Sequence, residues 1–485
     1  EGIFVDGDRL AVVGTNYSVT ETSGYEVRWS YYNDVSTYAK VYDVSNRSQP
    51  QLVRTYTTSG SYFNSRMIGD YVYFIASTPA FYTLEVLPSF PIDNINLPKI
   101  GVKGRLTEVA ATKIYYSNTS DNYFMFTTIV AMNVQNLTEE PSYETIMTGG
   151  ASNMYVSERN IYIAFPNAYT TSVYRIRIEK GTIIPEAKGE VPGSILNQFS
   201  MDEYDNYFRV ATTTWNNNAP TWDNFTKTWV NPEVVGQEQN NVYVLNMNMS
   251  IVGNLTGLAP GEHIYSARFM GNKCYLVTFQ KIDPLFVIDL ADPTRPTLLG
   301  ELEIPGYSDY LHPYDENHLI GIGKHTIEAD EGFFAWYQGV KMAIFDVSNV
   351  SNPIQMASYI IGDRGTDSPV LRDHKAFLFD MERNLLVIPV LVAEIDPSEY
   401  SGVVPPYAYG KLVWQGAYVF NITLENGFIL RGGITHMENS GYLYDNNFYV
   451  KRSLYIEDVL YTVSDKKIKM NSLEDLVLLR ELELS

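Results

Sequence analysis

The sequence predicts an all-β fold built from repeated four-stranded sheets. One observation behind this prediction is a hairpin pattern, clearest at 60–75, where a polar-aromatic strand, a Gly69-Asp70 turn and an aromatic, β-branched strand follow one another. Glycine adopts the positive φ of a tight turn without steric cost, so this order of residue types is typical of two paired strands. The pattern returns at 261–277 and, more loosely, at 306–322.

A second observation is a turn signature in which an apolar strand ends in Asp and Pro follows seven residues later. It occurs at 43–50, 289–296 and 346–353, and another apolar strand follows each time. Asp and Asn side chains cap the backbone of turns, and Pro removes one amide from strand pairing. The same spacing at three places indicates a true internal repeat.

Seven repeats of about four short strands can be placed with these two signals. They begin near Lys40, Ile129, Ser172, Asn241, Leu285, Val340 and Gly416. An eighth is predicted to be split across the termini, with 467–484 supplying one half and the hairpin at 2–13 the other.

Four-stranded sheets repeated radially form a β-propeller, and a shared terminal sheet removes exposed edges that invite aggregation. We therefore predict one β-propeller domain over 1–485, with seven or eight blades and eight preferred. The N- and C-terminal strands are expected to close the ring by pairing in one blade.

Composition limits the classes of function. The chain has 485 residues, of which 45% are hydrophobic, and a formal net charge of -21. Such a negative charge repels nucleic acid and anionic lipid, so neither is expected as a partner. The only cysteine is Cys274, which excludes an internal disulfide and lies in an apolar strand typical of a core position.

The sequence contains an excess of Asn-x-Ser/Thr sequons, which is typical of an exported and glycosylated surface. They lie at Asn16, Asn46, Asn118, Asn136, Asn224, Asn248, Asn254, Asn349 and Asn421. Turns rich in Asn and Ser also generate such triplets, which is the alternative explanation. The chain starts without Met or a signal peptide and has no apolar run of the roughly 18 residues that a membrane helix needs. We expect a processed, extracellular or cell-surface product of a longer precursor.

Long aromatic insertions interrupt the repeats. They are predicted at 15–37, 78–112, 215–238, 328–339 and 396–414. Four of their tryptophans, Trp29, Trp222, Trp229 and Trp336, are candidate contact residues. Exposed Tyr and Trp supply contact area at low entropic cost, which favours a protein or glycan partner, self-assembly included. The alternative is that these insertions fold over the blades as local lids.

The densest polar segment is 363–374. Asp363, Asp367 and Asp373 form a candidate metal site, because Ca²⁺ prefers several oxygen ligands. The alternative is a turn capped by carboxylates, since the spacing fits no EF-hand loop. His312 and His318 are predicted to lie on different strands of a hairpin, which favours a structural role over zinc binding.

Three segments, 60–73, 306–313 and 373–379, resemble the β-propeller domain of predicted secreted proteins, mostly archaeal and some bacterial. The resemblance covers nearly the whole chain. It implies export and distant kinship with WD-type repeats, and it implies no activity for any residue.

Motifs of common enzymes, such as a nucleophile elbow or a phosphate-binding glycine loop, do not occur in the sequence. The sequence thus favours an exported, non-enzymatic scaffold or binding module, with a subunit of an extracellular filament or surface layer as one form. The alternative is a hydrolase or lyase that acts on polysaccharide through a carboxylate pair at the propeller centre, since such pairs come from distant blades.

Overall fold

The computed structural model describes residues 1–24, 27–80, 95–102, 105–116, 124–215, 221–223, 228–230, 237–279, 283–329, 334–437 and 445–484. Regular structure in these residues is β-strand, apart from short 3-10 turns. This confirms the predicted all-β class. Among the described residues, no helix has the length and apolar character needed to cross a membrane.

The first four sheets occupy the N-terminal half. Sheet 1 has the order β1-β2-β3-β4-β7-β8, with β1 (Gly2–Asp6), β2 (Arg9–Gly24), β3 (Val27–Asp43), β4 (Gln51–Ser59), β7 (Lys99–Val102) and β8 (Arg105–Glu108). Sheet 2 has the order β5-β6-β10-β11-β9, with β5 (Ser61–Ile68), β6 (Tyr71–Pro79), β9 (Ile114–Tyr116), β10 (Met125–Asn133) and β11 (Ser142–Thr148). Sheet 3 contains β12 (Asn153–Val156), β13 (Asn160–Pro166), β14 (Thr170–Glu179) and β15 (Thr182–Pro192) in sequence order. Sheet 4 contains β16 (Met201–Tyr204), β17 (Tyr207–Trp215), β20 (Glu238–Asn246) and β21 (Ile251–Leu258), and β18 (Thr221–Asp223) pairs separately with β19 (Thr228–Val230).

The other four sheets each have four strands in sequence order. Sheet 5 contains β22 (His263–Met270), β23 (Lys273–Phe279), β24 (Asp283–Asp289) and β25 (Thr297–Ile304). Sheet 6 contains β26 (Tyr307–Pro313), β27 (His318–Glu328), β28 (Ala335–Asp346) and β29 (Ile354–Ile361). Sheet 7 contains β30 (Leu378–Asp380), β31 (Leu385–Glu394), β32 (Lys411–Thr423) and β33 (Gly427–Ile434). Sheet 8 contains β34 (Arg452–Ile456), β35 (Val459–Val463), β36 (Lys467–Ser472) and β37 (Leu478–Glu483).

Short 3-10 turns connect some of these strands. They are Ala111–Lys113, Gln198–Ser200, Pro369–Leu371, His374–Ala376, Pro397–Glu399 and Asn446–Phe448.

The structure confirms that the sequence repeats, but a predicted repeat does not begin where a sheet begins. Each of the seven predicted starts falls within the third strand of a separate sheet, from Lys40 in β3 to Gly416 in β32. A repeat as read from the sequence therefore joins the last two strands of one sheet to the first two of the next.

The predicted pairing of the terminal strands is wrong for the same reason. The hairpin of β1 and β2 opens sheet 1, where β2 pairs with β3. The C-terminal strands complete sheet 8, where β36 pairs with β35 and β37. Each terminal sheet obtains its first four strands from contiguous sequence, so neither needs a strand from the other end of the chain.

The turn signature works as the sequence predicts. The Oδ1 atoms of Asp43, Asp289 and Asp346 accept hydrogen bonds of 2.8 to 3.0 Å from the backbone amides two residues later. Each bond closes the turn between the third and fourth strands of a sheet. Fixed spacing in the sequence therefore reflects one capped turn used repeatedly.

Contacts divide the chain into two compact units, 1–210 with 243–252 and 211–242 with 253–485. In the first unit, apolar cores lie between sheets 1 and 2, between sheets 2 and 3, and between sheets 3 and 4. In the second unit, cores lie between sheets 5 and 6 and between sheets 7 and 8. Face-to-face packing of successive sheets explains why the second and third strands read as continuous apolar runs. Cys274 is fully buried in β23, which confirms its predicted core position.

Four of the five predicted insertions contain paired strands in the residues that the structure describes. The segment at 15–37 is a long hairpin made by β2 and β3, and β7 and β8 within 78–112 add two strands to sheet 1. At 215–238 the described residues form the β18–β19 ribbon, and 328–339 extends the hairpin of β27 and β28. In the described parts of these four segments, extended residues satisfy their backbone groups by pairing. The fifth predicted insertion, 396–414, is different, because it is irregular apart from the 3-10 turn Pro397–Glu399 until β32 begins at Lys411.

Candidate functional site

Two of the predicted insertions meet in the second unit and form an exposed aromatic surface. Phe334 and Trp336 come from the extended hairpin of β27 and β28, and Tyr407 and Tyr409 come from the segment before β32. The ring centre of Trp336 lies 5.0 Å from that of Phe334 and 5.8 Å from that of Tyr407. We call these four residues together with Arg364 the aromatic–arginine surface.

Arg364 connects the two insertions. Its guanidinium carbon lies 5.0 Å from the ring centre of Trp336 and 4.4 Å from that of Tyr409. Nη1 donates to the carbonyl oxygen of Tyr337 at 3.2 Å, and Nη2 donates to the hydroxyl of Tyr409 at 3.3 Å. A guanidinium stacked against aromatic faces is stabilised by the ring quadrupoles, so Arg364 fixes the spacing of the exposed rings.

Loop 363–373 carries Arg364 and is itself firmly held. The hydroxyl of Thr366, fully buried, donates to the carbonyl oxygen of Ala393 at 3.1 Å and accepts from the Ala393 amide at 2.9 Å. Ser368, also fully buried, donates to the carbonyl oxygen of Pro389 at 2.6 Å. These bonds attach the loop to β31, so the arginine is presented from a rigid base.

The three carboxylates proposed as a metal site have separate partners. Asp363 accepts from the Ile395 amide at 2.7 Å, and Asp373 forms an ion pair of 2.5 Å with Arg452. Asp373 also caps the 3-10 turn His374–Ala376 by accepting from the Lys375 amide at 3.0 Å. In the part of the chain that the structure describes, no group of three His, Cys, Asp or Glu residues is arranged to hold a metal ion. The contacts of Asp373 agree with the capped-turn alternative.

Asp367, the third of these carboxylates, belongs instead to a charged cluster with Asp309, Lys324 and Arg372. Arg372 Nη2 lies 2.5 Å from Asp367 Oδ2, and Lys324 Nζ lies 3.8 Å from Asp367 Oδ1. Lys324 also donates to the carbonyl oxygen of Thr366. Two cations and two carboxylates thus share one place between sheets 6 and 7.

Asp309 lies at a β-bulge of sheet 6. In the pairing of β26 with β27, Ser308 lies opposite Gly323 and Tyr310 lies opposite Ile322, so Asp309 has no cross-strand partner. The register shifts at the same place in two other first strands, at Tyr265 in β22 and at Phe63 in β5. The bulge is therefore a property of the repeat, and sheet 6 uses it to place a carboxyl group where sheets 2 and 5 place aromatic rings.

The environment of Asp309 changes its protonation. Among the described residues, its carboxyl group has no hydrogen bond or ion pair. Burial raises its pKa to about 7, against the opposing charges of Lys324 and Arg372. Burial also lowers the pKa of Lys324, although Asp367 and Asp309 favour its charged form. Desolvation thus opposes the charge on both groups.

The predicted placement of the two histidines on different strands of a hairpin is confirmed. His312 lies on β26 and His318 on β27, and their partners differ. His312 Nδ1 lies 2.9 Å from the Tyr310 hydroxyl, and His318 Nδ1 lies 2.8 Å from Asp315 Oδ1. Burial lowers the pKa of His312 to about 4, which leaves it neutral at physiological pH.

The sequon residues lie mainly on the surface where the structure describes them. Asn16, Asn46, Asn136, Asn248, Asn254 and Asn349 are exposed, and Asn421 is half-buried in β32. Asn118 and Asn224 lie outside the described residues, as do the side chains of Trp29, Trp222 and Trp229. Of the four predicted contact tryptophans, the aromatic–arginine surface therefore contains Trp336.

With this geometry in place, the chain can be assigned to a family. Residues 1–476 match the family described as "Beta propeller domain", and the chain belongs to that family. The confirmed all-β sheets and the repeat agree with this assignment, as does the resemblance seen in the sequence.

Similar proteins include two archaeal ones. An uncharacterized protein of Methanocaldococcus jannaschii is 28% identical over 494 residues, which covers 87% of this chain and 69% of that protein. An uncharacterized protein of Archaeoglobus fulgidus is 36% identical over 227 residues, which covers 46% of this chain and 31% of that protein.

Two solved structures were also compared. A protein from Lactobacillus plantarum aligns with a TM-score of 0.40 at 9% identity, over 76% of this chain and 94% of that one. The C-terminal WD40 domain of Sif2 aligns with a TM-score of 0.34 at 10% identity, over 69% of this chain and 73% of that domain.

Proposed function

We propose that this protein is an exported, cell-surface binding module without enzymatic activity, and that it binds its partner through the aromatic–arginine surface. We further propose that its eight sheets are the blades of one closed propeller. A subunit role in an extracellular filament or surface layer fits the same proposal, with the aromatic–arginine surface as one of the contacts between subunits.

The observation that carries this proposal is that aromatic rings of this surface are exposed to solvent although Arg364 and neighbouring rings contact them. Tyr407 and Tyr409 are 59% and 66% exposed, and Phe334 is 45% exposed. Exposed aromatic rings gathered in one patch are typical of interaction surfaces. Tyr, Trp and Arg are also the residue types that contribute most to binding free energy at protein interfaces.

The charged cluster supports binding over the hydrolase alternative. Asp309 and Asp367 are the two carboxyl groups that are electrostatically coupled there. Both oxygens of Asp367 already interact with cations, Oδ2 with Arg372 and Oδ1 with Lys324. A glycosidase-like mechanism needs two carboxyl groups that can act on substrate, and Asp367 is already held by these two cations.

Binding to cell-envelope material tests the proposal. Purified protein is incubated with envelope fractions and with a panel of envelope glycans from the organism that carries it, and retained protein is quantified. Trp336→Ala and Tyr409→Ala are expected to weaken retention roughly tenfold or more.

Tyr169→Ala is the matched control, because Tyr169 is a tyrosine 69% exposed elsewhere on the surface. Retention that is equal for all three variants, or no retention of the wild-type protein, contradicts the proposal.

A further inference from the structure

A cleft lies between sheets 2 and 3 in the first unit, at the end of these sheets where their first and second strands are joined. Its volume is about 920 Å³. Sheet 2 contributes 68–71, Tyr73 and Asn133 to its lining, and sheet 3 contributes 158–159 and 177–180. Pockets that bind small molecules usually measure about 300–1,000 Å³, so the cleft is large enough for a ligand of several rings.

Aromatic and aliphatic side chains form the interior of the cleft. Tyr73 and Ile178 are buried, and Tyr71 is half-buried beside them. The ring of Tyr71 packs against the backbone of sheet 3, since a Cβ atom on Gly181 would come within 2.5 Å of its Cε1 atom. The hydroxyl of Tyr71 donates to Glu139 Oε1 at 2.9 Å, which fixes the orientation of the ring. The cleft therefore presents one oriented aromatic ring among apolar side chains.

Charged side chains form the outer part of the cleft, and their signs balance. The lining contains three cations and three carboxylates, namely Arg159, Arg177, Lys180, Asp70, Glu158 and Glu179. This balance differs from the chain as a whole, whose formal net charge is -21. A lining of balanced charge gives no electrostatic preference for a polyanion or a polycation.

Several of these charged groups are available to a ligand. Among the described residues, four exposed side chains of the lining have no hydrogen bond or ion pair with the protein, namely Asp70, Glu158, Arg159 and Lys180. The turns at 69–70 and 158–159 are held by the backbone. The Val134 amide donates to the carbonyl oxygen of Asp70 at 2.9 Å, and the Ile178 amide donates to that of Arg159 at 2.8 Å. The cleft thus offers unpaired donors and acceptors on turns that are already in place, which lowers the cost of binding.

Sheet 3 departs from the repeat at this cleft. Its third and fourth strands are joined by Lys180 and Gly181 alone, whereas the capped turns of sheets 1, 5 and 6 extend from an Asp to a Pro seven residues later. Both residues have positive φ, as a two-residue hairpin turn requires. A shorter turn covers less of the neighbouring sheet, which leaves room for a ligand beside Tyr71.

From this geometry we propose that the cleft binds a short, uncharged oligosaccharide. A sugar ring has apolar C–H groups on its faces and hydroxyl groups around its edge. The C–H face packs against the ring of Tyr71. Hydroxyl groups both donate and accept hydrogen bonds, so they accept from Arg159 and Lys180 and donate to the unpaired carboxylates. The cleft is separate from the aromatic–arginine surface, which belongs to the second unit, and the inference does not depend on the proposed function.

Isothermal titration of the full chain with oligosaccharides tests the proposal. The panel contains neutral oligomers of glucose, galactose, mannose and N-acetylhexosamine, together with uronate and sulfated oligomers. At least one neutral oligomer is expected to bind to the wild-type protein. Arg159→Ala and Lys180→Asn are each expected to weaken that binding roughly tenfold, because each removes a charged hydrogen-bond donor. Asn tolerates the positive φ of position 180, so the second variant keeps the turn.

Arg47→Ala is the matched control, because Arg47 is also an exposed arginine in a turn of the first unit. This variant and Trp336→Ala should both bind as the wild-type protein does. The proposal is overturned if no neutral oligomer binds, or if only charged oligomers bind. Equal binding by the wild type and by the two cleft variants overturns it too. So does a loss of binding in the Trp336 variant alone, which assigns the ligand to the aromatic–arginine surface.

Discussion

The hydroxyl of Tyr162 donates a hydrogen bond of 2.8 Å to Glu203 Oε2 and thereby joins sheet 3 to the start of sheet 4. The same oxygen accepts from Ser157 Oγ at 2.7 Å and from Asn160 Nδ2 at 2.9 Å. Tyr162 is fully buried and its ring stacks on Phe208 at 4.4 Å. One carboxylate oxygen therefore serves three donors at a core boundary.

Tyr162→Phe is expected to lower the free energy of unfolding by about 1 kcal/mol, because it removes one hydrogen bond and keeps the ring packing. Glu203→Ala is expected to cost more, since three donors then lose their acceptor. Urea denaturation monitored by fluorescence measures both. Tyr169→Phe, at an exposed position, is the control and should have no measurable effect. Equal effects of the three variants would contradict this role of Glu203.

Gly323 makes the bulge at Asp309 possible. A Cβ atom at this position would lie 1.8 Å from the carbonyl oxygen of Tyr307 and 2.8 Å from Cα of Ser308. Gly323→Ala is therefore expected to destabilise the protein by about 3 kcal/mol, because backbone atoms on the paired strand must move. Gly150→Ala is the matched control, since no atom lies within 4 Å of the added Cβ. Thermal unfolding of the two variants should differ clearly, and a similar melting temperature would refute the steric argument.

His436 should make stability fall in mild acid. It is buried, with Nδ1 2.9 Å from the Ser464 hydroxyl and Nε2 2.8 Å from the Thr462 hydroxyl. Burial, reinforced by Lys469 and Lys467, lowers its pKa from 6.5 to about 4. The unfolded chain then binds a proton between these values while the folded chain does not. Stability falls as pH decreases from 6.5 to 4, by about 3 kcal/mol at most.

Urea titrations at a series of pH values check this expectation. His436→Gln should reduce the slope between pH 4 and 6.5. The part that remains is expected to come from His312, whose pKa burial lowers to about 4, and from His325, whose pKa burial also lowers. His263→Gln, at a position 48% exposed, is the control. An unchanged slope in the His436 variant would show that another group is responsible.

The repeated turn cap predicts equal effects at equivalent positions. Asp346→Ala and Asp289→Ala each remove an acceptor for a turn amide, at 2.8 and 3.0 Å respectively. Each is expected to lower the free energy of unfolding by about 1 kcal/mol, as loss of a side-chain cap does elsewhere. Asp-to-Asn variants keep the acceptor oxygen and should lose little. A large difference between the two Ala variants would mean that the turns are not equivalent.

The candidate site was only partly accessible from the sequence. The insertions at 328–339 and 396–414 were recognisable by their aromatic content, and the half-buried Trp336 does contact exposed rings of both. Arg364 was visible within a polar segment, but its stacking partners are far away along the chain. The role of a side chain in this surface depends on which loops contact each other in the folded chain. A pattern within a few residues of sequence cannot predict those contacts.

The charged cluster was missed for a related reason. Asp309 stands in an ordinary strand in the sequence, and only the pairing of β26 with β27 reveals the bulge at this position. The available signal was the alignment of the three hairpin repeats, in which Phe63 and Tyr265 occupy the equivalent place. A carboxylate at a position that is otherwise aromatic marks a departure from the repeat.

By itself, the sequence determined the all-β class, the repeat and the capped turns, because these follow from alternation, turn residues and spacing within a few residues. Tertiary structure alone decided where one sheet ends and the next begins, and it placed the terminal strands in separate sheets. Hydrogen bonds between strands set that boundary, and a hairpin can join either the preceding or the following pair with the same local sequence. The grouping of Arg364 with the exposed rings, and of Lys324 with Asp367, likewise arises from contacts between segments that are distant along the chain.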